Sequence, residues 1–138
     1  MPDTGVEIDA NENCIVRAEM TEFPLFMRNP INAVNANQKS AGVEGFIYDG
    51  ADGSQVVIFQ CATSGISMEH VHAFDEYFVV LQGEYTLGME GRTIKLTAGM
   101  EYIIPKGIPH DGGFIAGTRT INAFGGKRAE RRSGGALK

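Results

Sequence analysis

From Val43 to Phe124 the apolar residues come in short runs, each ended by a turn signal before it is long enough to make a helix. The runs are Val43 to Tyr48, Ser54 to Ala62, Ser67 to His72, Glu76 to Leu81, Glu84 to Met89, Arg92 to Leu96, Glu101 to Ile104 and Arg119 to Phe124. Asp49-Gly50, Asp52-Gly53, Gln82-Gly83 and Glu90-Gly91 separate them, and such pairs favour tight reversals. Eighteen glycines in 138 residues supply the reversals that so many strands need. Eight short strands at even spacing predict an all-β protein, an antiparallel sandwich or barrel. The run Val56-Val57-Ile58-Phe59 predicts a strand buried on both faces.

All three histidines fall inside the stretch from Gly65 to His110. On a strand, side chains alternate between faces, so His70 and His72 point the same way and can share a metal ion. Glu76 keeps that parity after a short Ala-Phe-Asp turn and can bring a carboxylate oxygen to the same point. His110 comes from a later strand and turn, and joins only if the sheet curls back. Three nitrogens and one oxygen suit a divalent transition ion, Fe, Mn, Ni, Cu or Zn, and ligand type alone does not choose among them. Gly65, Gly83, Gly99, Pro105, Gly107 and Pro109 bracket the four candidates where strands must reverse.

These two blocks resemble the paired sequence motifs of the cupin superfamily. The first motif is a Gly, then His-x-His, three or four residues, Glu, six residues and Gly. The chain has His70-x-His72, three residues, Glu76, six residues and Gly83. The second is Gly, five residues, Pro-x-Gly, two residues and His, matched by Gly99, Pro105-x-Gly107 and His110. Fifteen residues separate Gly83 from Gly99, similar to compact microbial cupins. Two positions depart from the pattern. Gly65 lies one residue too close to His70, and Phe114 stands where an Asn commonly closes the second motif. The resemblance implies a double-sheet jelly-roll barrel, one metal ion per chain held by His70, His72, Glu76 and His110, and a homodimer.

Four protein ligands on an octahedral ion leave two adjacent positions for a substrate, or for substrate and dioxygen. By strand parity Phe78 and Val80 share the face of Glu76, and Ile104 shares a face with Tyr102. Met68 precedes His70 on the ligand side, and Gln60 projects into the same space. These residues are the expected pocket, with Tyr102 the expected proton donor or substrate positioner. Two functions are compatible with such a site. One is an enzyme of dioxygenase, isomerase, decarboxylase or lyase type acting on a small oxygenated substrate. The other is a non-catalytic module that binds a metal or small ligand and signals to a partner.

Other chemistries lack their signatures. There is no glycine-rich phosphate loop, and Gly88-Met-Glu-Gly91 does not make a dinucleotide fingerprint. No G-x-S-x-G elbow is present. Asp75 beside Glu76 faces the opposite way on a strand and reads as pointing to solvent or capping the turn. Cys14 and Cys61 form neither a CxxC pair nor a disulfide framework and read as reduced thiols, Cys61 as a small core residue. A net charge of −5 speaks against nucleic acid as the main partner. The first residues lack a basic and an apolar signal region, and no run approaches a membrane span, so a cytoplasmic location and no membrane partner are expected.

The chain divides into three parts. Residues 1–30 read as an N-terminal arm, broken by Pro24 and Pro30, that packs on its own domain or exchanges with a partner copy. Residues 31–126 form the barrel, with Ile31 to Gln38 a loop holding at most one helical turn. Residues 127–138 carry five Lys or Arg and one Glu and read as a flexible basic tail, disordered from Ser133.

Overall fold

The computed structural model describes residues 4–8, 14–18 and 20–132, the first two stretches as backbone. The expected disorder from Ser133 and the thiol of Cys14 lie outside the described residues. The chain opens with a hairpin of β1 (Thr4–Ile8) and β2 (Cys14–Ala18). Three 3-10 turns follow, Leu25–Arg28, Pro30–Asn32 and Ala36–Gln38. The Asn-rich loop therefore holds more helical turns than expected, because the Asn29 and Asn35 side chains accept hydrogen bonds from the N–H groups of Ile31 and Asn37 and start two of them.

Nine strands make the body, β3 (Val43–Asp49), β4 (Gln55–Cys61), β5 (Gly65–His70), β6 (Glu76–Gln82), β7 (Glu84–Met89), β8 (Arg92–Thr97), β9 (Glu101–Ile104), β10 (His110–Phe114) and β11 (Arg119–Phe124). They form two antiparallel sheets, ordered β5-β10-β7-β8 and β3-β4-β11-β6-β9. This is the expected all-β, double-sheet jelly roll. All eight anticipated strands are present, with their ends moved by one or two residues. The additional strand is β10, whose Asp-Gly-Gly sequence reads as a turn. Gly112 is required there by packing, because a Cβ would overlap the Tyr85 hydroxyl.

The interior divides along the barrel. At one end Phe78, Val80, Leu87, Met89, Leu96 and Ile104 close a solid core. Between the sheets nearer the N-terminal strands, Ile47, Val57 and Phe124 pack with Val34 and Ala129. A third cluster of Phe23, Phe46 and Ile58 lies on the outer face of the five-stranded sheet. Residues 20–28 thus cover their own sheet: Phe23 is buried, its N–H donates to Gln60 Oε1 at 3.1 Å, and Tyr48 Oη donates to the Met27 carbonyl at 2.8 Å. The two-sided burial expected of β4 holds at Val57 and Ile58 but not at Val56, which is 38% exposed.

The basic tail is also corrected over its described part. Arg131 bridges to Val34, its Nη1 donates to Asp49 Oδ2 at 2.6 Å, and its Nη2 donates to the Ile47 carbonyl at 3.0 Å. Ala129 is buried. Charge counting alone cannot see that the tail folds back along β3. Among the described residues no helix is long and apolar enough to cross a membrane.

Candidate metal centre

His70 is the last residue of β5 and sits directly opposite His110, the first residue of β10. Cross-strand neighbours on one face are the closest side-chain pairs a sheet offers, and these two rings have centroids 4.3 Å apart. A bulge follows His110, which re-aims the strand end. His72 lies beyond β5, in the loop to β6, so it does not share a strand face with His70 as parity suggested. Loop contacts bring it to the same point. The Gly107 N–H donates to the His72 carbonyl at 2.9 Å, and the Lys106 N–H donates to Asp75 Oδ1 at 2.9 Å. Asp75 thus caps the turn, one of the two roles the sequence left open. Gly107 has φ +82°, the left-handed value that Pro105-Lys106-Gly107 needs to turn. The second glycine-proline block therefore holds the first block's loop in place. Glu76 opens β6 in the opposite sheet.

One donor atom from each of His70, His72, Glu76 and His110 lies within 4.8 Å of the others. Glu76 Oε1 is 3.4 Å from His72 Nε2 and 3.4 Å from His110 Nε2. Both of those ring nitrogens are buried without a hydrogen-bond partner among the described residues, a costly state for polar atoms unless something binds them. On His70 and His110 the other ring nitrogen is engaged: His70 Nδ1 is 2.7 Å from the Met68 carbonyl, and His110 Nδ1 is 2.9 Å from the Ile108 carbonyl. A carbonyl takes only a donated proton, so each Nδ1 carries the hydrogen and each Nε2 presents a lone pair inward. Glu76 Oε2 accepts from Asn122 Nδ2 at 2.9 Å, and Thr120 Oγ1 donates to Asn122 Oδ1 at 2.6 Å, which fixes the amide. This donor set fits a transition ion.

Charges follow from these contacts. Burial works to raise the pKa of Glu76, but His110, His72 and Asn122 outweigh it and hold the carboxyl at about 2. Burial works to lower His110, and the Glu76 carboxylate with the Ile108 carbonyl raises it. His70 goes down, through burial first and then the charges of His110, His72 and Arg128. Burial pushes Cys61 up to about 11, so its thiol stays protonated at neutral pH, and it stands outside the four-donor group.

The centre opens into a cavity of about 780 Å³. Met68, Phe78 and Ile104 line it, as parity suggested. The other three expected residues do not. Gln60 lies on the outer face of β4, where Nε2 donates to Glu44 Oε1 at 2.8 Å; its odd-numbered neighbours Phe59 and Cys61 face inward instead. Val80 faces inward but is sealed in the solid core, and Tyr102 packs against that same core. The phenol that does reach the cavity is Tyr85, which strand alternation with Leu87 and Met89 could have indicated. Burial, and then the Glu76 charge, raise its pKa, so it is protonated at neutral pH. Phe124 also lines the cavity, its ring 5.6 Å from that of His72. Arg128 reaches the cavity from the supposed tail, where nothing local in the sequence marks it.

The cupin domain family model matches residues 57–121. No curated protein matches the sequence. Several solved structures share the fold. KdgF from a Halomonas species aligns with a TM-score of 0.57 at 18% identity, over 72% of this chain and 94% of that one. An RmlC-like cupin from Shewanella frigidimarina gives 0.61 at 19%, over 70% and 84%. An oxalate decarboxylase variant from Bacillus subtilis gives 0.55 at 16%, over 62% of this chain and 26% of that one. With both motifs in place, two antiparallel sheets and the four donors gathered between them, residues 57–121 carry a cupin domain, and the family match and the shared fold support a small cupin-superfamily protein.

Proposed function

We propose that this cupin is a metal-dependent enzyme acting on a small oxygenated molecule. The observation that carries the reading is the pair of buried, unpartnered Nε2 atoms on His72 and His110, pointing with Glu76 at one spot on the wall of an open cavity. A divalent ion held there would act as a Lewis acid toward a substrate oxygen. The protein's own residues supply the rest. Phe78, Leu87, Ile104 and Phe124 give the cavity apolar walls that limit water. Tyr85 keeps its hydroxyl proton at neutral pH and offers it as a hydrogen-bond donor to a bound oxygen. Asn122 holds Glu76 so that its free oxygen stays aimed at the centre. Isomerase, decarboxylase and lyase chemistry use a substrate oxygen polarised in this way, and a dioxygenase would need a redox-active ion in addition.

Elemental analysis of the purified protein beside a His72→Ala variant tests the reading. The expected result is near-stoichiometric transition metal in the natural sequence and its loss in the variant. A natural protein that holds no metal and takes none up from added divalent ions overturns it. Metal that binds without exchangeable water would instead favour the non-catalytic module. The same reading carries a homodimer, supported by Leu25 and Phe26, which stand 77% and 80% exposed on the N-terminal turns. Sedimentation should give twice the 14.9 kDa chain mass.

A further inference from the structure

We infer that Arg128 is the anchor for a substrate carboxylate, and that the cavity takes a hydroxylated carboxylic acid with its charged end at Arg128 and an oxygen toward the four-donor centre. The inference rests on the metal-site reading only for that second point of attachment.

Arg128 lines the cavity and is half-buried. Its guanidinium has no hydrogen-bond acceptor or close ion-pair partner among the described residues. It stands over the ring of Phe124, whose centroid lies 5.8 Å from Cζ. Phe124 in turn lies edge-on to His72 at 5.6 Å, so Arg128 is one aromatic ring away from the donors. The other cations of this segment behave differently. Arg131 is used in the hydrogen bonds along β3, and Lys127 sits in solvent 3.3 Å from Glu130. A guanidinium cannot shed its proton to escape burial, so an inward one without an acceptor calls for an anion.

The backbone beneath it is built to hold that direction. Gln55 is 3% exposed, and its Oε1 accepts from the Arg128 N–H at 2.7 Å and the Ala129 N–H at 2.9 Å. Its Nε2 donates to the Ala129 carbonyl at 3.1 Å and to Asp49 Oδ1 at 3.0 Å. Three of the four hydrogen bonds of one buried amide therefore go to the backbone where the chain turns inward at Arg128, and the fourth ties the amide to Asp49. Gln55 is a positioning residue.

A planar fork with an aromatic ring at its side matches a planar carboxylate through two parallel hydrogen bonds. A phosphate would want further cations or a nest of backbone N–H groups, and Lys39 at the half-buried edge is the one other cation lining the cavity. The mouth is polar, with Asn37, Gln38, Ser40, Thr63 and Ser64, which suits hydroxyl groups on the ligand.

Calorimetric titration of the metal-loaded full chain with gluconate, sorbitol and inorganic phosphate tests the assignment, in the natural sequence, Arg128→Gln and Arg128→Lys. Gluconate should bind about 10-fold to 100-fold more tightly than sorbitol, the range expected for a charge-assisted contact. That preference should collapse to about 2-fold in Arg128→Gln and be partly kept in Arg128→Lys, with metal content equal in all three. Equal binding of gluconate and sorbitol, a preference that survives Arg128→Gln, or phosphate binding tighter than gluconate overturns the assignment. Loss of metal from the natural sequence would instead be a failure of the metal reading, and the gluconate preference would still report on Arg128.

Discussion

Asn122 does at the residue scale what a ligand cannot do for itself. Glu76 offers one oxygen to the centre because Asn122 takes the other, and Thr120 keeps the amide from turning over. Asn122→Ala should leave the fold intact and weaken metal affinity by about 10-fold to 100-fold, measured by competition with a chelator. Asn122→Asp should do worse, because a second carboxylate beside Glu76 raises one of the two pKa values and removes the donor. Equal affinity in all three proteins would remove Asn122 from the site. The pH response also belongs to single residues. Metal needs unprotonated imidazoles, and His110 has the raised pKa while Glu76 stays ionised to about 2. As pH falls, His110 takes up a proton before His70 and Glu76 do, so affinity should begin to drop above pH 6.5, the ordinary histidine value. The slope should be about 10-fold per pH unit for each protonated ring. A fall that began only near pH 4 would point to Glu76 and contradict this order.

At the scale of elements, β11 and the turn after it organise the site. Thr120, Asn122 and Phe124 alternate inward along one strand, and Gln55 then clasps the chain as it leaves. Gln55→Leu removes four hydrogen bonds and strands buried N–H groups on residues 128 and 129, so it should cost about 3 kcal/mol and lower the melting temperature by roughly 10 °C. A thermal scan that showed no change would mean the clasp is dispensable. This element also shows what a sequence can and cannot disclose. The four-donor group is legible because two compact blocks carry its members at fixed spacing, and each block includes the turns that orient it. His72 belongs to the four-donor group, as its spacing indicates, but not through its strand, since a loop held by Gly107 and Asp75 does the work that alternation would have done. Gln60 was misassigned because one residue of register decides which face a side chain takes; the inward set on β4 is Val57, Phe59 and Cys61. Arg128 was out of reach altogether. Its position depends on Gln55, 73 residues earlier, and a basic run near a chain end has the same composition whether it is solvated or folded inward.

For the whole molecule, the four donors span the gap between the two sheets. His70 and His110 belong to β5 and β10 in one, Glu76 to β6 in the other, and His72 to the loop that crosses between them. An ion bound here fastens the sheets at the open end of the barrel, while the packed core around Leu87 and Leu96 fastens the closed end. Only the folded chain brings the donors together, so metal should stabilise it by mass action. At free metal a thousandfold above its dissociation constant the gain is about 4 kcal/mol. For a chain of this length that corresponds to a melting shift of roughly 10–15 °C. Differential scanning calorimetry with metal, and again after chelation, should show this shift in the natural sequence and none in His72→Ala. The variant lacks a ligand but keeps both sheets, so its melting should resemble that of the stripped natural protein. If metal binds stoichiometrically and melting does not move, the ion is not shared between the sheets, and the geometry that places Glu76 opposite the histidines would have to be wrong.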